Sequence, residues 1–236
     1  MKNFRPVSKL QFTSKLTEKA VAVQLQEHML VKGLFPELQS AYRQHHSTET
    51  ALLKVKNDLL MAMDKGQVTL LVLLDLSSAF DTVEHEILLD RLRLTIIGLW
   101  GKVLSWFESY LKGRSQRVSI NGTLSKPFDL KCGVPQRSCL GPLLFTVYVS
   151  KLFQILKHHL PSVHTYADDT QLYLSFKPSD SSSEVEAVSA MQKCISDVRS
   201  WMREDQLMLN DDKTEFLIIG TRQQLSKISI QSIKIG

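Results

Sequence analysis

The chain predicts an α+β fold, with helices on one face of a mainly antiparallel sheet. Three observations carry this. Residues 67–76 are a near-continuous apolar run, the pattern of a central strand covered on both faces. Residues 116–130, around Asn121-Gly122, and residues 163–176 read as hairpins, and Asn-Gly is the strongest short turn signal. Long stretches before and after them space their apolar residues as helices do.

Taken in order, residues 13–32 carry Leu16, Ala20, Val23 and Leu30 at helical spacing, and Gly33 stops the helix. Residues 34–46 are irregular. Ser47 caps a second helix, with Glu49 in its first turn and Leu52, Val55, Leu59 and Met63 as its apolar stripe, ended by Gly66. The strand of residues 67–76 follows. Residues 84–112 are helical, broken near Gly98 and Gly101. After the Asn121-Gly122 hairpin and a loop over 131–141, Pro142 suits the first turn of a helix whose face is Leu144, Tyr148, Leu152 and Ile155. The second hairpin has Ala167-Asp168-Asp169 at its tip. Ser183 and Glu186 make a capping box for a long helix with Val188, Met191, Ile195, Val198 and Met202 inside. Residues 214–219 are the last strand, and the tail from 221 to 236 is weakly patterned.

Composition excludes some classes. At 236 residues the chain can bury a core as one large or two small domains. A net charge of +5 permits an acidic partner such as nucleic acid without demanding one. Cys132, Cys139 and Cys194 form no C-x-x-C pair, which fits a reduced, intracellular protein that is not secreted. The doublets His45-His46 and His158-His159 diverge on a strand or a helix and read as surface or packing residues. The first fifteen residues have no apolar signal core, and no run reaches the length of a membrane span, so no membrane partner is expected.

The chemistry concentrates in two acidic strings. Leu73-Leu74-Asp75-Leu76-Ser77-Ser78-Ala79-Phe80-Asp81 and Tyr166-Ala167-Asp168-Asp169 each set carboxylates at the edge of a strand. An ionised Asp ending a buried strand must be paired or given to a metal. Three of them on two strands are the requirement for holding a pair of divalent ions in phosphoryl transfer. Taken alone, Asp75 reads as well as a helix cap, and the Asp pair as a hairpin turn.

More strings accompany these two, in order: Gln39-Ser40-Ala41-Tyr42-Arg43 with His46-Ser47-Thr48, Gly133-Val134-Pro135-Gln136 through Leu140-Gly141-Pro142, and Leu209-Asn210 with Lys213-Thr214-Glu215. With them the chain resembles the reverse transcriptase of LINE-type, non-LTR retrotransposons of the jockey-like kind, from about residue 5 to 220. The resemblance implies a right-hand polymerase: about 1–66 as a fingers portion, 67–220 mainly palm with an intervening fingers hairpin, and 221–236 as the start of a truncated C-terminal region. It also implies a thumb absent from this stretch and an endonuclease domain upstream in the family, hence a copy truncated at both ends.

By the same resemblance Asp75, Asp168 and Asp169 are the catalytic and metal-binding triad, for two Mg²⁺ ions or Mn²⁺ in their place. Arg43, Phe80, Gln136 and Lys213 are the nucleotide-binding set: a guanidinium for the triphosphate, an aromatic gate against a ribose 2′-hydroxyl, a support for the nucleotide and template base, and a cation near the leaving pyrophosphate. The implied partners are an RNA template, a DNA primer and dNTPs. As isolated residues, Phe80 is equally a core aromatic, and Arg43 and Lys213 are equally solvated surface cations. Asp81 reads as a cap or the partner of a nearby base.

One position departs from the family. Arg137 stands where a glycine is usual, and a positive φ there would strain it by about 1–3 kcal/mol. Cys139 is a milder departure from an aliphatic residue. The expected activity is therefore RNA-directed DNA polymerisation, with a catalytically inactive nucleic-acid-binding remnant as the alternative. A two-metal nuclease would leave the 133–142 loop and Phe80 unexplained.

Overall fold

The structure, a computed structural model, describes residues 8, 10–43, 45–93, 97–159, 162–178 and 181–233. Its elements run α1 (Phe12–Val31), α2 (Thr48–Asp64), β1 (Val68–Leu74), α3 (His85–Arg93), α4 (Gly101–Leu111), β2 (Ser115–Gln116), β3 (Ser119–Ile120), β4 (Thr123–Leu124) and β5 (Phe128–Asp129). Then come α5 (Gly141–Tyr148), α6 (Ser150–Leu156), β6 (Ser162–Tyr166), β7 (Asp169–Phe176), α7 (Ser181–Glu204), a 3₁₀ turn (Asp211–Lys213), β8 (Glu215–Ile219) and α8 (Arg222–Leu225). They divide into two compact units, Met1–Phe35 with Ser78–Val149, and Pro36–Ser77 with Ser150–Gly236.

The sheet unit, Pro36–Ser77 with Ser150–Gly236, is built on a four-stranded antiparallel sheet in the order β6-β7-β1-β8. The apolar run of β1 explains its central place: a strand buried on both faces needs no polar alternation. Leu71 and Tyr173 share one face and pack with Val55 of α2, flanked by Leu59, Leu73 and Ile219. The opposite face is closed too, with Leu70, Val72 and Leu172 wholly buried. Helix α7 packs along β7 and α6, with Met191, Ile195, Val198 and Met202 buried as expected and Val188 only partly so. Ser47 caps α2 in a reciprocal capping box with Thr50.

The end of this unit is better ordered than its sequence predicts. Thr221 and Gln224 form a second capping box that starts α8, and Gln224 Nε2 donates to the Met63 carbonyl at 3.1 Å. The expected box at Ser183 and Glu186 is not formed. Helix α7 begins at Ser181, and the Ser183 hydroxyl donates to the Lys177 carbonyl at 2.8 Å instead.

The helical unit, Met1–Phe35 with Ser78–Val149, packs α3 against α4 and α5. The Asn121-Gly122 turn closes β3 and β4, both residues having positive φ (50° and 81°), and β2 pairs with β5 below it. Helix α1 presents a different face from the one its spacing predicts. Leu16, Val23 and Leu30 are exposed, while Glu18, Leu25 and Met29 are buried. Glu18 tolerates burial because it accepts hydrogen bonds from the Tyr110 hydroxyl (3.1 Å) and the Cys139 amide (2.9 Å). The single helix expected after Pro142 is divided at Val149 into α5 and α6.

Candidate active site

In the sheet unit, strand register brings the acidic strings together. Leu74, the last residue of β1, pairs with Thr170 of β7, and Tyr166 pairs with Asp169 across the turn. Asp75 therefore follows β1 beside the hairpin that carries Asp168 and Asp169. That hairpin closes through only Ala167 and Asp168, and Ala167 takes a positive φ of 59°. A two-residue loop needs such a twist to match the strands.

Asp169 feels the other two carboxylates. Burial raises the pKa of Asp169 above its ordinary value, the charges of Asp168 and Asp75 add to this, and Lys213 opposes it. Tyr42 is raised first by burial, then by Asp168 and Tyr166, so its hydroxyl belongs to the same field. Asp75 is held by two groups from the 210–213 turn. Asn210 donates twice: its backbone N–H to the Asp75 carbonyl (2.9 Å), and its side-chain amide to Asp75 Oδ2 (3.1 Å). Lys213 Nζ lies 3.6 Å from the same oxygen, with 61% of its side chain exposed, so this ion pair is largely solvated. The antiparallel bridge between Leu76 and Leu209 brings that turn to Asp75.

Three carboxylates are the hard oxygen donors that Mg²⁺ prefers. Asp169 is raised mainly by burial, and the neighbouring Asp168 and Asp75 charges add to it against Lys213. In donor chemistry, though not in spacing, the set suits a divalent cation. Among the described residues, however, no three Asp, Glu, His or Cys side chains stand close enough to form a ready-made metal group.

Arg43 is half-buried in the 36–47 segment of the same unit, its carbonyl accepting from the His46 amide at 3.2 Å. Arg43, Asp75, Asp168, Asp169 and Lys213 thus share one unit, whereas Phe80 and Gln136 belong to the other. There, Phe80 stacks on Phe145 with ring centroids 4.9 Å apart. Gln136 Nε2 donates to both carboxylate oxygens of Asp81, at 3.0 and 2.9 Å, so Asp81 is paired with a side-chain amide, where a cap or a nearby base was expected. Asp81 and Gln136 line a cleft of about 450 Å³ with His85, Arg114, Phe128 and Gly133.

The 133–142 loop is tight where its sequence says so. Gly133 has φ +89°, and a Cβ there would stand 3.0 Å from the Asp81 carbonyl oxygen. Arg137 is exposed at φ +64°, the left-handed conformation in which a side chain is strained. Sequence reasoning set no site role on Gln39, Tyr42 or Asn210. All three lie within the quoted strings, but their contacts are to residues far along the chain.

Comparison with known proteins agrees with this architecture. The chain matches the family "Reverse transcriptase (RNA-dependent DNA polymerase)" over residues 1–231 and belongs to it. It is 31% identical over 217 residues to the probable RNA-directed DNA polymerase from transposon BS of Drosophila melanogaster, covering 90% of this chain and 23% of that protein. It is 29% identical over 229 residues to the RNA-directed DNA polymerase from mobile element jockey of the same species, covering 93% and 24%. The chain thus spans about a quarter of the length of the curated relatives it matches. Among solved structures, apo telomerase from Candida tropicalis aligns with a TM-score of 0.61 at 15% identity, over 86% of this chain and 40% of that one. Telomerase from the same species in complex with a TWJ fragment of telomeric RNA gives 0.62 at 14%, over 86% and 34%. These likenesses establish a reverse transcriptase fold. Among the described residues, no helix is long and apolar enough to cross a membrane.

Proposed function

We propose that this chain is the polymerising domain of a retrotransposon reverse transcriptase, adding dNTPs to a primer 3′-hydroxyl on an RNA template. The observation that carries this reading is the strand register that sets Asp75, just past β1, beside the β6–β7 hairpin that carries Asp168 and Asp169. In that role Asp75, Asp168 and Asp169 would hold two Mg²⁺ ions, whose chemistry would be to lower the pKa of the primer hydroxyl and stabilise charge on the leaving pyrophosphate. The chain's own residues do the rest. Asn210 orients the Asp75 carboxylate, and Lys213 supplies a cation beside it. Arg43 offers a fork for phosphate oxygens. Phe80, fixed by its stack on Phe145, is the candidate gate against the ribose 2′-hydroxyl.

A second reading is a nucleic-acid-binding remnant without catalysis. Arg137 at φ +64° favours it, because a strained, charged residue occupies a loop position usual for glycine in the family. Primer extension on an RNA template with Mg²⁺ separates the two. Extension that disappears in Asp168→Ala supports the polymerase. Extension only after Arg137→Gly supports a polymerase disabled at that residue. Salt-sensitive binding unchanged by Asp168→Ala, without extension in any variant, supports the remnant.

A further inference from the structure

Gln39 is 1% exposed, and its side-chain amide is spent on a short piece of backbone. Its Oε1 accepts from the amides of Ala41 (2.9 Å) and Ala167 (3.0 Å), and its Nε2 donates to the Ala167 carbonyl (3.1 Å). The side chain thus grips both polar groups of the residue that precedes Asp168. Around it, residues 38–40 run beside β6 through independent backbone bonds. The Ser40 amide donates to the Thr165 carbonyl at 3.0 Å, and the Thr165 amide to the Leu38 carbonyl at 2.9 Å. Those bonds tether the segment to the sheet without Gln39. Beyond its bond to the Ala41 amide, what Gln39 adds goes to both polar groups of Ala167, an L-residue in the left-handed region at the first position of a two-residue turn. Such a conformation persists only where its surroundings over-determine it.

We infer that Gln39 is a positioning residue: it locks Ala167 in its left-handed conformation and thereby sets the direction of the Asp168 side chain. The inference rests on the reading of Asp168 as part of the polymerase site. The mechanism is local. With the turn locked, Asp168 leaves the hairpin in one orientation, towards the field it shares with Asp169 and Tyr42. With the clamp removed, Ala167 relaxes toward negative φ and the two-residue turn loses its geometry, although the tether of residues 38–40 remains. A carboxylate held loosely binds a cation less well than one held in place, because orientation must then be fixed on binding.

Gln39→Met tests this, since it preserves length and volume but neither donates nor accepts as the amide does. The readouts are Mn²⁺ affinity by titration with electron paramagnetic resonance, residue-resolved amide exchange, and a thermal melt. Expected in Gln39→Met are at least tenfold weaker Mn²⁺ binding, in the direction of Asp168→Ala, and at least tenfold faster exchange at the Ala167 amide. Exchange at the Thr165 amide should be unchanged. The double variant Gln39→Met with Ala167→Gly should recover Mn²⁺ affinity, because glycine takes a positive φ without help. A purely structural role for Gln39 predicts no such rescue. Should Gln39→Met fail to fold, Gln39→Glu, which keeps the acceptor and loses the donor to the Ala167 carbonyl, is read by exchange at Ala167 against the same expectation. Unchanged Mn²⁺ affinity in Gln39→Met beside a loss in Asp168→Ala overturns the inference alone. Unchanged Mn²⁺ affinity in Asp168→Ala overturns the reading of the site, and the inference with it.

Discussion

Asn210 reaches Asp75 twice, by a backbone bond of 2.9 Å to its carbonyl and a side-chain bond of 3.1 Å to its carboxylate. A carboxylate oriented by one fixed amide loses less freedom when it engages a cation. Asn210→Ala removes the side-chain bond and leaves the Lys213 ion pair. Primer extension should fall by about 10-fold or more, with the melting temperature little changed. A fall matched by a large loss of stability would mean that Asn210 serves folding instead.

Arg137 at φ +64° carries a strain that glycine relieves. The left-handed conformation costs an L-residue about 1–2 kcal/mol, and the greater unfolded freedom of glycine returns roughly 0.5–1 of it. Arg137→Gly should therefore stabilise by up to about 1.5 kcal/mol, seen as a rise of a few degrees in the thermal midpoint. A lower midpoint would show that the Arg137 side chain makes compensating contacts.

Asp169 titrates above its ordinary value through desolvation and the charges of Asp168 and Asp75. An acid whose folded pKa is raised binds its proton more tightly when folded. Stability is then greatest below the unfolded pKa, about 3.9, and is lost as pH rises through the folded value. Asp169→Asn should melt higher than the parent at pH 7, and the difference should vanish as pH falls below that unfolded value. A difference that persists in acid would assign the effect to packing.

Tyr173 donates a 2.6 Å hydrogen bond to Asp58 on α2, on the face that holds Val55 and Leu71. Burial works against the Asp58 charge, yet the bonds from Tyr173 and Lys54 prevail and lower its pKa. Here the sign is the reverse: the stabilisation is present above the unfolded carboxylate pKa and lost as pH falls through the lowered folded one. Tyr173→Phe should cost about 1–2 kcal/mol at pH 7, less in acid, by denaturant titration at each pH. An equal cost at both pH values would assign the loss to packing around the ring.

Phe80 is held by its stack on Phe145. Phe80 is only partly buried, so Phe80→Ala should destabilise by about 1–2 kcal/mol through lost packing. If it also gates the sugar, the variant should incorporate rNTPs relative to dNTPs at least tenfold better. Loss of stability with unchanged sugar preference would make Phe80 a packing residue only.

The parts of the fold set by local signals were legible in the sequence. The run of β1, the Asn121-Gly122 turn and the Ser47 cap depend on neighbours within a few residues, and all three are found where expected. The buried side of α1 was not legible. Its apolar residues share a helical spacing, but the face turned inward is the one where Glu18 finds Tyr110 and the Cys139 amide, both remote in sequence. The site divides in the same way. The three Asp could be picked out as charges at strand edges, whereas the groups that hold Asp75 and the Ala167 turn, Asn210 and Gln39, are ordinary polar residues until the strands pair. Gln136 shows the converse, because its amide is occupied by Asp81.

The division of the chain bears on how it comes to be folded during synthesis. Each compact unit is assembled from two separated stretches, so neither can finish from a contiguous nascent segment. The central strand β1 leaves the ribosome at Leu74, but its partners begin only at Asp169 and Glu215. Until β7 and β8 emerge, a seven-residue apolar strand has both edges unpaired. Pairings this remote are intrinsically slow, and an unpaired apolar edge is a template for aggregation. The same continuous hydrophobicity that lets β1 occupy the centre of the sheet makes a chain stalled before residue 169 a natural client for chaperones.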